Sequence, residues 1–100
     1  MATTSKALAR TAAATSSTTL YTVPSGTNTI VTNIVIANNN GATQTATISL
    51  DGVVLIPAVS VPANSVVPID LKQTLAATKV IAGFASSTAV TFHISGVEVN

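Results

Sequence analysis

The 100-residue sequence predicts an all-β fold: a two-sheet β-sandwich, jelly-roll-like or immunoglobulin-like, with an extended N-terminal arm. Three observations carry this expectation. Short runs rich in Val, Ile and Thr recur between clusters of Gly, Pro, Asn and Ser, which is the spacing of sandwiches and barrels. No stretch has the length and periodicity of a helix that would cover a sheet, so two sheets must cover each other. The clearest run, Thr43–Leu50, alternates strictly, with Ala46, Ile48 and Leu50 on one side and Thr45, Thr47 and Ser49 on the other, as in a half-buried strand.

Residues 1–17 are set apart by composition. Through residue 19 the chain has nine Ser or Thr and six Ala, and Leu8 is the only large aliphatic besides Met1. Such a segment supplies too little apolar surface to order itself, so 1–17 is expected to be a flexible or partner-bound arm, with 18–100 as the sandwich domain. Thr18–Val23 is the first expected strand, ended by the turn residues Pro24-Ser25-Gly26. Thr29–Ala37 follows, with Ile30, Ile34 and Ile36 on a shared face, and Asn38-Asn39-Asn40-Gly41 stops it. Asp51-Gly52 predicts a two-residue type I′ hairpin joining Thr43–Leu50 to Val53–Ile56. Pro57, Pro62 and Pro68 confine Val59–Val61 and Ser65–Leu71 to sheet edges or connections, because proline cannot donate to a ladder. Leu71–Thr78 is expected to turn. Lys79–Ala85 and Ala89–Val99 read as a last hairpin around Ser86-Ser87-Thr88, with the inward phase changing at a bulge on Gly96. The expected core is Ile30, Ile34, Ile36, Ile48, Leu50, Ile69, Val80, Phe84, Val90, Phe92 and Ile94.

Charge is scarce. Lys6, Arg10, Lys72 and Lys79 oppose Asp51, Asp70 and Glu98, seven charged side chains in all, whereas Ser and Thr number 27. Ordinary domains use about 25% charged residues and rely on them to stay apart. A surface this poor in charge is expected to have partners. A net charge of +1 and three aromatic residues give nucleic acid neither a phosphate track nor stacking platforms. No membrane association is expected, because Val53–Ala63 is broken by two prolines and falls far short of the ~20 apolar residues that span a bilayer. The first residues lack the Leu-rich stretch of a signal peptide, so export by that route is not expected.

Candidate chemistry is thin. His93 is the only histidine, and alternation with Phe92 and Ile94 puts it on the outer side of its strand. Catalysis also needs an orienting partner at hydrogen-bond distance, and neither Asp51, explained by its turn, nor Asp70, in proline-rich edge sequence, is placed to be one. No catalytic residue is assigned. One His, no Cys and three dispersed carboxylates predict no metal site and no cofactor. Asn38–Gly41 reads as loop chemistry, and the outward threonines of Thr43–Leu50 as solvent-facing strand residues. The one set singled out for partner binding is Lys6, Leu8 and Arg10 in the arm; Lys6 and Arg10 would share a face if the segment became helical.

Leu20-Tyr21-Thr22-Val23-Pro24-Ser25-Gly26, Ile30–Ala37, Asp51-Gly52, Val61-Pro62-Ala63-Asn64 and Phe92–Val97 give residues 18–99 the look of small tailed-phage structural β-sandwich proteins: capsid decoration or cement, neck and fibre modules. The resemblance implies a sandwich fold, trimers or other oligomers, and no enzymatic activity; it carries over no functional residue. The resulting expectation is a virion structural protein, made in the host cytoplasm and placed on the capsid surface. There it would act as a decoration or cement protein that binds the major capsid protein and copies of itself, with the homotrimer foremost. The rival expectation is a receptor- or carbohydrate-binding sandwich of a phage tail or fibre, acting through Asn38–Gly41 and Ser86–Thr88. A small hydrolase centred on His93 is a third.

Overall fold

The computed structural model describes residues 3–100. Eight strands follow one another: β1 (Thr3–Ala12), β2 (Thr18–Thr22), β3 (Asn28–Asn38), β4 (Gln44–Leu50), β5 (Val53–Val61), β6 (Ser65–Leu75), β7 (Val80–Ala85) and β8 (Val90–Val99). They form two four-stranded antiparallel sheets in the orders β1-β8-β3-β6 and β2-β7-β4-β5. The expected two-sheet β-sandwich is therefore the observed fold. Its pairings are nested: β4 with β5 innermost, then β3 with β6, β2 with β7, and β1 with β8 outermost.

Local chemistry explains most of the frame. Asp51 and Gly52 turn β4 into β5 with φ of 53° and 76°, the two positive values a type I′ turn requires. Pro57 and Pro68 lie within β5 and β6, and both strands are sheet edges, where a missing N–H leaves no neighbour unpaired. Pro57-Ala58 forms a bulge opposite Thr47, with Ala58 at φ 40° and its N–H bonded to Thr47 Oγ1 at 3.1 Å. Phe92, Ile34, Ile36, Ile48, Ile81 and Ile94 are fully enclosed between the sheets, each stabilising the fold by roughly 1.5–3 kcal/mol through removal of apolar surface from water.

The arm is where structure and expectation part. Met1 and Ala2 lie outside the described residues, but Thr3–Ala12 is a strand and not a helix. It is β1, paired with β8 from Thr3↔Val99 to Ala12↔Thr91. Leu8, Ala9 and Ala13 belong to the core. Composition underrates this segment because the exposed edge of β8 supplies the backbone partners that an isolated chain lacks, and Thr has the shape a pleated ladder favours.

Further expectations are corrected. Ser86–Ala89 closes no hairpin: β7 and β8 lie in different sheets, and the connection is held by Ala85 N–H to Ala14 O and Ser86 N–H to Thr45 O, both 2.9 Å. Leu71–Leu75 does not turn but continues β6. The phase change lies in the neighbours of β8. Register slips at Thr32 in β3 and at Leu8 in β1, on either side of Ser95 and next to Gly96, while β8 alternates without interruption. The slip at Thr32 moves the inward position from Ile30 to Val31. In β7, Ile81 and Ala85 point inward, so Val80 is half-buried and Phe84 lies on the outer surface. Ile69 packs against the rim of the core instead of entering it.

Candidate interaction surface

Both ends of the sandwich are tied by polar side chains. At one end Asn38, 3% exposed, donates from Nδ2 to the carbonyls of Ala42 and Val61 at 3.0 Å and of Pro62 at 3.2 Å, and accepts Asn40 N–H at 2.9 Å. A single amide thus joins the β3–β4 and β5–β6 connections. Asn40 Oδ1 accepts from Ala42 N–H, Ser86 Oγ from Thr45 N–H, and Ser87 Oγ from Ala89 N–H. These loops spend much of their hydrogen-bonding capacity on their own shape, in keeping with Asn38–Gly41 as turn chemistry. Beside them lies a shallow, open depression between Asn39, Asn64 and Val66.

At the other end Tyr21 of β2 donates its hydroxyl hydrogen bond to Glu98 of β8 and lies 3.0 Å from Thr29 Oγ1 of β3, while Lys6 of β1 reaches Glu98 Oε2 at 3.4 Å. Four strands and both sheets meet here. Burial, then the hydrogen bond to Glu98, push the Tyr21 hydroxyl above its ordinary value. The Tyr21 hydrogen bond, then the Lys6 ammonium, hold the Glu98 carboxyl below its usual 4.5. A depressed carboxyl stabilises the fold fully above its unfolded value and loses that contribution as pH falls through the folded one. Thermal melting is therefore expected to show an acid-side fall in Tm that Glu98→Gln flattens; an unchanged acid limb would remove this cluster from the pH response.

The residues singled out in the arm are not gathered into one patch. Leu8 is buried, Lys6 is engaged with Glu98, and Arg10 is exposed opposite His93 on the outer face of the β1-β8-β3-β6 sheet. The slip at Leu8 puts Lys6 and Arg10 out of phase, so the shared helical face does not exist. His93 is exposed between Arg10 and Val35. Asp70 instead accepts from Asn33 Nδ2 at 3.1 Å, and Asp51 pairs with Lys79 at 3.7 Å.

What sequence reasoning missed is the outer face of the other sheet. Every charged residue located in a strand, Lys6, Arg10, Asp70, Lys72 and Glu98, belongs to the β1-β8-β3-β6 sheet, and β2, β4, β5 and β7 contain none. The outward side chains of β7 and β4 are Val80, Ala82, Phe84, Thr45, Thr47 and Ser49, with Phe84 directly opposite Thr47 on the two inner strands. Val54 of β5 pairs with Ser49 and is 55% exposed. The strand sequences contain this asymmetry, but it becomes visible only when the sheet order assigns each strand to its sheet.

Neither a protein-family model nor a curated protein matches the chain. Among solved structures, two crystal structures of a pentameric capsid protein isolated from metagenomic phage sequences are similar to it, each with a TM-score of 0.39. Sequence identity is 20% in one and 21% in the other, over 89% of this chain. The chain spans a little under three-fifths of their length, 59% and 57%.

Proposed function

We propose that this chain is a structural component of a phage virion, a decoration or cement protein that stabilises the head by binding coat subunits and copies of itself on the capsid surface, without enzymatic activity. The observation that carries the reading is the division of charge: the sandwich offers one sheet without a charged strand residue and another that bears them. A neutral face packs against protein with little desolvation of charge, and a charged face gives register to a contact with an unlike partner. The nested strand pairing supports reading the sandwich as a jelly roll, the architecture of many shells. Arg10, exposed on the charged sheet, is the member of the arm set best placed to meet acidic groups of the major capsid protein. Lattice repetition then turns modest contacts into firm attachment.

The test is purification of particles from the source virus. The protein is expected to co-purify at a copy number that scales with the coat lattice, and particles lacking it are expected to lose their genome at lower temperature. Recovery at the few copies of a tail or fibre would sink the decoration role. The commitment of the Asn38–Gly41 and Ser86–Thr88 loop groups to internal hydrogen bonds counts against a sugar or receptor site there.

A further inference from the structure

We infer that the outer face of the β2-β7-β4-β5 sheet, centred on Phe84, is the surface through which one copy of this chain docks on a second copy. The inference rests on the reading that the protein self-assembles, and it names where. Phe84, 37% exposed on an inner strand, is the largest of the apolar side chains left open in this sheet, the others being Val53 and Val54 of β5, and its outward neighbours on the two inner strands are Val80, Ala82, Thr45, Thr47 and Ser49. An exposed aromatic ring on an inner strand of a neutral sheet is the usual composition of an interface anchor.

Charge decides the occupant. A partner carrying Lys or Glu against this face would give up hydration and find no opposite charge in any of the four strands. A second copy presents the same uncharged set, with no like-charge repulsion. The charged sheet is left free for contacts that need ionic register.

The experiment is native mass spectrometry with light scattering on the full chain at ~1–100 µM, the range in which a standard interface is populated, for wild type, Phe84→Lys, Phe84→Thr, Val54→Lys and Val66→Lys. Val66, 56% exposed on β6 of the charged sheet, is the control. Wild type and Val66→Lys are expected to associate equally. Phe84→Lys and Val54→Lys are expected to weaken association by ~30-fold or more, with Phe84→Thr intermediate and far-UV dichroism unchanged. Should Phe84→Lys fail to fold, Phe84→Thr and Val54→Lys decide. A monomeric wild type overturns the inference, as does loss of association in Val66→Lys alone. If wild type is monomeric and Phe84→Lys no longer attaches to particles, the face belongs to the coat contact: self-docking fails while the decoration role stands.

Discussion

Gly96→Ala is expected to lower stability by about 3 kcal/mol, which for a domain of this size is a fall in Tm of roughly 15 °C. Gly96 lies in β8 next to Ser95, at which the two register slips meet, and opposite Lys6 of β1 and Val31 of β3. A Cβ at this position would overlap the Ile30 carbonyl oxygen and come within 2.9 Å of Leu8 Cδ1. Leu8 can shift, but the Ile30 carbonyl belongs to the central ladder of its sheet and cannot move without breaking it. The cost is steric, since Gly96 is absent from the positive-φ residues. Urea denaturation of the variant checks this; a midpoint within error of wild type would mean that the bulges accommodate a methyl group.

Asn38→Ala is expected to cost about 2–3 kcal/mol, because it leaves one buried and two part-buried carbonyls and one part-buried N–H without the partner they have in the native fold. The two Nδ2 hydrogens are shared among the carbonyls of Ala42, Val61 and Pro62, and Oδ1 accepts from Asn40 N–H. Asn38→Asp separates donor from acceptor: it keeps the acceptor for Asn40 N–H but points a carboxylate at three carbonyl oxygens, and is expected to be at least as damaging at neutral pH. Urea midpoints of both variants, with amide exchange at Asn40 and Asn64, measure it. A loss below about 0.5 kcal/mol, the range of an ordinary surface change, would show that water replaces the amide.

How much of this was legible depends on where pattern alone is sufficient. Thr43–Leu50 alternates strictly, and Asp51-Gly52 specifies its turn, so that hairpin is readable without any knowledge of its neighbours. Pro57 and Pro68 likewise announce edges, because the missing N–H is a property of the residue. Val80–Ala85 is different. Apolar groups occupy both of its sides, so period-two alternation has no preferred phase, and the choice of Ile81 over Phe84 is made by the register with β4. Thr29–Ala37 fails for a related reason: a single extra residue at Thr32 reverses its first half, and nothing in the local sequence marks the slip. β1 was illegible because its stabilisation is entirely non-local. Thr, Ser and Ala carry no core signal, and the partner strand lies at the far end of the chain. The proposed docking face was hidden in the same way, for sheet membership is decided by topology.

The nesting of the strands also bears on how the molecule assembles in time. Its innermost pair is separated by a two-residue turn, whereas the outermost joins Thr3 to Val99. Topologies dominated by such distant pairings fold in milliseconds to seconds, since each wider loop must close before its contacts reward it. Until β1 arrives, the edge of β8 stands open, and at high local concentration the first matching strand to reach it can come from another chain, so exchange of β1 between copies is the misassembly to which this topology is most exposed.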